Sequence, residues 1–110
     1  MTDSILVNAQ QLDAADTIQT LYTAPSGGQG VVILALTASN NSTASASYKA
    51  YLYDSSDALV EAIVPQKIVV RDRYDLAPSA VNHVIPAGGT LRAENSTANS
   101  LSFTLTGREQ

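Results

Sequence analysis

Two pairs of carboxylates and a single histidine are the residues of this sequence whose types could support catalysis. They are Asp54 with Asp57, Asp72 with Asp75, and His83. Two carboxylates could act as acid and base in glycoside hydrolysis, and several carboxylate oxygens could hold calcium. The segment DSSDALVE lacks the alternating acidic pattern of a calcium loop, and DSSD is typical of a turn. An enzyme would therefore need a composite site, for example one made of Asp72, Asp75 and His83.

The sequence has neither a nucleophile motif nor a phosphate-loop motif that would complete one of these sites. No serine lies in a GxSxG motif, so His83 has no such nucleophile to activate as a general base. The absence of cysteine excludes thiolate catalysis and Cys-based zinc sites. The glycine segments SGGQG and AGGT lead into strand patterns, whereas a phosphate loop needs a helix N-terminus. These glycines indicate turns, with Gly88 and Gly89 forming a corner between strands. The sequence predicts a non-enzymatic protein without a cofactor or a metal.

The segment RDRYD, residues 71–75, combines charged residues with a tyrosine. In a strand, Arg71, Arg73 and Asp75 would share one face, and Asp72 and Tyr74 would share the other. Arginine and tyrosine are enriched at protein interfaces, so the segment could make charge-paired contacts with an adjacent subunit. It could equally be a solvated edge strand whose charges deter aggregation. Both interpretations stay open at this stage.

Tyr51 and Tyr53 are further candidate contact residues. In SYKAYLYD, the alternation puts them on one face of a strand, opposite Tyr48. They either pack on the sheet or form a stacking platform for sugars, in which case the chain would be a carbohydrate-binding module.

The N-terminal segment, residues 2–15, contains the apolar run Ile5, Leu6 and Val7. This segment could be an extended arm that binds a neighbouring subunit or a lattice. It has no basic region of the kind that opens a signal peptide. The longest apolar run, VVILAL at residues 31–36, is far shorter than the ~20 residues of a membrane span. The sequence therefore predicts neither a signal peptide nor a membrane segment.

The charge of the chain argues against nucleic acid as a partner. Net charge is −4, and charged residues make up only 15% of the sequence, against about 25% in an average globular domain. A low density of lysine and glutamate lowers the cost of burying a surface against another protein. The basic residues form no stripe that would neutralise phosphates. They are Lys49, Lys67, Arg71, Arg73, Arg92 and Arg108.

The candidate residues named above lie in or next to segments that have the alternating pattern of β-strands. In LSFTLTGR, Leu101, Phe103 and Leu105 alternate with hydroxyl residues, and Leu91 and Ala93 alternate with polar residues in TLRAEN. The polar cluster NSTANS between them is a turn, so the two strands are expected to form an antiparallel hairpin. Turn signals recur throughout the chain. We predict an all-β fold, a single antiparallel β-sandwich or jelly roll of seven to nine short strands with little helix, over residues 1–110.

Two other segments complete this prediction. GVVILALTASN is apolar on both faces in its first half, which is typical of a strand buried on both sides. ALVEAIVPQKIVV fits both a helical face and a strand alternation. Because Pro65 cannot lie within a central strand or mid-helix, we expect it to divide two short strands.

Two long segments of the sequence carry turn and strand signals in a fixed order. In TLYTAPSGGQGVVILALTASNNSTASASYKAYLYDSS, a YTAP start and a glycine turn precede an apolar strand that ends in asparagine. In VIPAGGTLRAENSTANSLSFTLTGRE, a Pro-Ala-Gly-Gly turn precedes a strand, a turn of small residues and a final strand. These segments resemble the first half and the closing hairpin of small bacteriophage virion β-sandwich proteins. The resemblance covers roughly residues 20–109 and omits residues 71–75.

The resemblance implies a structural role in a virion assembled in the host cytoplasm. Such proteins act as capsid decoration, or cement, proteins, or as head–tail and collar components. It implies self-association into a homo-oligomer, with a trimer favoured, and binding to the major capsid protein or other virion proteins. No nucleic acid and no membrane is expected as a partner.

Overall fold

The computed structural model describes residues 3–110 and contains two antiparallel sheets packed against each other. The first sheet has the order β1-β9-β3-β6, with β7 also paired to β3, and the second has the order β2-β8-β4-β5. The prediction of an all-β sandwich is confirmed, with 57% strand and 3% helix. The strands are β1 (Ser4–Gln11), β2 (Gln19–Thr23), β3 (Val31–Asn40), β4 (Ala46–Tyr53), β5 (Leu59–Val69), β6 (Tyr74–Asp75), β7 (Val84–Ile85), β8 (Thr90–Asn95) and β9 (Leu101–Glu109).

The core lies between the sheets and follows the alternation of the sequence. Every second residue of β9 and of β4 is buried, including Phe103 and Tyr48. The rings of these two residues meet edge to face, with centroids 5.5 Å apart and planes at 72°. This geometry is favourable for aromatic pairs, and it joins the two sheets at the centre of the core.

The predicted hairpin of the last two strands is wrong. β8 pairs with β2 and β4, whereas β9 pairs with β1 and β3, so the two strands lie in different sheets. The turn between them crosses from one sheet to the other, and there Asn95 and Ser100 are buried. The Ser100 hydroxyl donates to the Thr97 carbonyl at 2.6 Å, which satisfies it inside this crossing. Both strands still point their apolar residues into the same core.

The expected division at Pro65 is also wrong, because β5 continues through this proline as one strand of 11 residues. β5 is the edge of the second sheet, and its pairing with β4 contains three register shifts. Proline is tolerated in an edge strand because its missing N–H can face solvent instead of a neighbouring strand. The register shifts are bulges, which leave extra residues of β5 unpaired with β4. The helical alternative for this segment is excluded as well.

The segment RDRYD is mostly turn rather than strand. Only Tyr74 and Asp75 form β6, which pairs with Ser39 and Ala38 of β3. Asp72 has a φ of 62°, a left-handed conformation in which the expected alternation of faces cannot continue. The predicted sharing of a face by Arg71, Arg73 and Asp75 is therefore wrong.

The N-terminal segment lies on the domain from Ser4 onward, whereas residues 1 and 2 lie outside the described part. β1 pairs with β9 at the edge of the first sheet and carries two register shifts. Of the apolar run, Val7 is buried, Leu6 is partly buried against the core, and Ile5 is exposed. Within residues 3–110, the single helical turn is Pro78–Ala80, and no helix could span a membrane.

Candidate functional site

The composite catalytic site suggested by the sequence does not assemble. Asp75 pairs with Ala38 on β3, while the His83 carbonyl accepts the N–H of Ile33 at 2.8 Å. Ile33 and Ala38 are five positions apart on β3, which separates the two sites by roughly 17 Å at about 3.3 Å per residue. Asp72 is exposed and forms its ion pair with the adjacent Arg71 rather than contacting Asp75 or His83. Within residues 3–110, no group of three or more histidine or carboxylate side chains is placed to hold a metal ion.

Asp75 instead joins four elements of the fold. Its Oδ2 accepts the Tyr48 hydroxyl at 2.5 Å and the Ala77 N–H at 3.1 Å. Its Oδ1 lies 3.7 Å from the Lys67 ammonium. Burial raises the pKa of the Tyr48 hydroxyl above its ordinary value, and the hydrogen bond to Asp75 raises it further. Asp75 therefore holds β4, β5, β6 and the loop before the helical turn together.

Asp75→Ala is expected to lower the free energy of unfolding by about 2 kcal/mol, because the buried Tyr48 hydroxyl and the Ala77 N–H both lose their acceptor. The measurement is urea unfolding followed by tyrosine fluorescence. Asp72→Asn is the control, since Asp72 is exposed and asparagine tolerates its left-handed backbone; it should change stability by less than about 0.5 kcal/mol. Equal effects of the two variants would contradict the role given to Asp75.

Asp54 and Asp57 form a turn, as predicted, and not an acid–base pair. The Asp54 Oδ1 accepts the N–H of Ser56 at 2.9 Å and that of Ala58 at 3.0 Å. Asp57 forms an ion pair with Arg92 on the neighbouring strand. Both carboxylates thus serve the connection from β4 to β5.

Tyr51 and Tyr53 are held in a polar network on the outer face of the second sheet. The Tyr51 hydroxyl donates to Glu94 at 2.5 Å, and burial, together with this carboxylate, raises the pKa of Tyr51 to about 12. The guanidinium of Arg92 lies 4.0 Å from the centroid of the Tyr53 ring, in cation–π contact. A sugar stacking on this face of Tyr53 would have to displace Arg92, which also pairs with Asp57.

Two shallow cavities lie near the end of β4 that begins at Ala46. They have volumes of about 100 and 210 Å³. Ligand pockets are usually about 300 Å³ or larger, so these cavities fit water molecules or a single small group. The polar lining of the smaller cavity includes Lys49, Gln66 and Glu94.

The exposed apolar side chains are concentrated at one edge of the sandwich. Among the large hydrophobic residues that are exposed within residues 3–110, all but Ile5 and Ile18 lie in the segment from Leu59 to Val84. This segment comprises β5, β6, β7 and their connections, at the edge opposite β1 and β2. We call the following residues the edge surface: Leu59, Val60, Ile68, Val70, Tyr74, Leu76, Val81 and Val84.

Two polar bridges connect the parts of the edge surface that lie on the two sheets. His83 Nε2 lies 3.0 Å from Glu61 Oε2, which joins β5 to the connection before β7. The ion pair of Lys67 with Asp75 joins β5 to β6. Apolar neighbours in sequence flank both bridges. They are Val60 and Val84 at the first bridge, and Ile68, Tyr74 and Leu76 at the second.

Sequence reasoning found only Tyr74 of the edge surface. The segment ALVEAIVPQKIVV carries apolar residues on both faces of a strand, and it was interpreted as fitting either a helical face or a strand alternation, with a division at Pro65. The signal in the sequence was the combination of this two-sided pattern with Pro65, since proline marks an edge strand. A two-sided apolar strand at an edge must expose half of its hydrophobic residues.

The edge surface is also electrically neutral. The segment 59–84 contains three acidic residues and three basic residues, so its formal charge is zero and the whole −4 of the chain belongs to the other residues. The six charges are Glu61, Asp72, Asp75, Lys67, Arg71 and Arg73.

No family model, curated protein or solved structure matches this chain.

Proposed function

We propose that this chain is a non-enzymatic structural protein of a bacteriophage virion, a capsid decoration protein that self-associates and binds the capsid lattice. The observation that carries the proposal is the edge surface, because exposed apolar side chains concentrated in one region of a domain mark protein–protein interaction sites. The resemblance of residues 20–109 to small virion β-sandwich proteins supplies the class of partner.

The organisation of the chain supports this role. Two tightly packed sheets with aromatic rings joined across the core make a rigid module, as a protein that reinforces a lattice requires. The functional residues that the sequence suggested serve structure instead: Asp75 ties the strands together, and Tyr51 bonds to Glu94. The low content of charged residues reduces the desolvation cost of covering its surfaces.

The proposal predicts that the purified chain binds capsid shells. The experiment mixes it with empty shells assembled from the major capsid protein encoded in the same genome, and it measures binding by co-sedimentation and electron microscopy. We expect binding that saturates at a fixed number of copies for each capsid subunit, with density distributed over the whole shell. Shells of an unrelated phage are the control.

Two other outcomes decide against the proposal in different ways. A chain that never sediments with the shells contradicts a decoration role. Density confined to one vertex of complete virions would place the protein in the head–tail connection or collar instead.

A further inference from the structure

We infer that copies of this chain contact one another through the edge surface. The inference rests on the self-association included in the proposed function, and it names the residues that carry it. It concerns apolar side chains that are exposed in the described part of the chain, and polar bridges at Glu61 and Lys67 lie among them.

The exposure of the edge surface suits a contact between proteins. Its eight residues are 36% to 70% exposed, so they can contribute apolar area to an interface, and a standard interface takes ~800 Å² from each partner. The centre of an interface is depleted of charge and rich in aromatic and aliphatic groups. Tyr74, at 67% exposure, is the aromatic residue best placed to serve as an anchor.

Charge favours a second copy as the occupant. When two identical chains meet through the same surface, the charge of that surface faces an equal charge on the other copy. A neutral surface therefore gives the least electrostatic repulsion between copies. The segment 59–84 has formal charge zero, whereas the remaining residues carry −4 and repel the same residues of another copy. A strongly basic partner would be attracted to those remaining residues rather than to the edge surface.

The neutral segment also contains charges of both signs that can pair between copies. Arg71 and Asp72 form an exposed ion pair on the turn that precedes Tyr74. Arg73, also exposed, follows them. Around a symmetry axis, the arginines of one copy can meet the Asp72 carboxylate of the next, which would fix the relative orientation of copies packed through their apolar residues.

The irregular backbone of β5 favours a contact made by side chains over one made by pairing of strands. Pro65 and three register shifts interrupt the ladder with β4, and such interruptions prevent an edge strand from adding strands of another chain. The same features do not cover Ile68 or Val60, which stay exposed. Copies are therefore joined by packing of apolar side chains and not by one continuous sheet.

The test compares aspartate substitutions at the edge surface with matched substitutions at the opposite edge. Ile68→Asp and Leu76→Asp place like charges in the contact, whereas Ile5→Asp, at a residue 63% exposed on β1, is the control for Ile68, which is 70% exposed. Sedimentation velocity over a range of concentrations gives the association constant, and thermal unfolding shows whether each variant is folded. We expect association to weaken at least ~30-fold for each edge variant and to be unchanged for Ile5→Asp.

Cysteine cross-linking provides a second measurement, which can detect the contact between copies even if the substitution weakens their association. The sequence has no cysteine, so Ile68→Cys and Leu76→Cys each introduce a single thiol, with Ile5→Cys as the control. A short bis-maleimide should join copies through Ile68→Cys or Leu76→Cys and not through Ile5→Cys. Cross-links confined to the control, or oligomers that persist in the folded Ile68→Asp and Leu76→Asp variants, would overturn the inference.

Shell binding separates this inference from the proposed function. If the native chain is monomeric at high concentration but Ile68→Asp abolishes its binding to shells, the edge surface docks on the capsid. The inference and the self-association in the proposed function are then wrong, while capsid decoration stands. If the edge variants dissociate the oligomer and the native oligomer ignores shells, the inference stands and the function is wrong.

Discussion

Phe103→Ala is expected to lower the free energy of unfolding by about 3–5 kcal/mol. Phe103 is fully buried on β9, the strand that pairs with both β1 and β3. Its ring also contacts the edge of Tyr48 on the other sheet, so truncation removes apolar burial and an aromatic pair, and it leaves a cavity between the sheets. Because native domains are stable by only about 5–15 kcal/mol, this variant should lose a large fraction of its stability.

The measurement is chemical unfolding of Phe103→Ala and Phe103→Leu, followed by circular dichroism. Phe103→Leu keeps most of the apolar volume and should lose much less stability. Ser102→Ala, on the outer face of the same strand, is the control and should change the free energy of unfolding by less than about 0.5 kcal/mol. A loss below about 1 kcal/mol for Phe103→Ala would contradict the central position of this ring.

The inward faces of the main strands could be predicted from the sequence because alternation is a local property. Leu101, Phe103 and Leu105 point into the core as expected, and so do Leu91 and Ala93. Each of these residues reveals its side of the strand through neighbours two positions away. The class of fold follows from several such strands with short turns between them.

The assignment of strands to sheets could not be predicted in the same way. β8 and β9 are consecutive and both point inward, which fits a hairpin as well as two strands that face each other across the core. The difference depends on partners distant in sequence, since β9 pairs with β3 and β1, more than sixty positions away. Nothing in the turn from Asn95 to Ser100 specifies those partners.

The candidate site was harder to predict than the fold because its contacts are also distant. Asp75 was interpreted as a contact residue for another subunit, but its carboxylate is engaged by Tyr48, which is 27 positions away on the other sheet. Tyr74, its neighbour, does stay exposed as part of the edge surface. Alternation across β6 separates the two residues, and the sequence does not indicate that this strand has only two residues.

Gly89→Ala is expected to lower the free energy of unfolding by about 3 kcal/mol, the upper end of the cost of overpacking. Gly88 and Gly89 form the corner before β8, in which Gly88 has a φ of +73° and the Gly89 N–H donates to the Pro86 carbonyl at 2.8 Å. A methyl group on Gly89 would lie well inside contact distance of the Tyr53 carbonyl oxygen. Because this oxygen belongs to the backbone of β4, it cannot rotate away as a side chain would.

Gly27→Ala is the matched control, since a Cβ atom at Gly27 meets no atom within 4 Å. Replacing a glycine where the backbone tolerates alanine reduces the entropy of the unfolded chain, so Gly27→Ala should leave stability unchanged or raise it slightly. Thermal unfolding of the two variants therefore distinguishes a glycine needed for close approach from one that only occupies a turn. Equal melting temperatures would show that the corner can move away from β4, and that the approach of Gly89 to Tyr53 does not hold β8 in place.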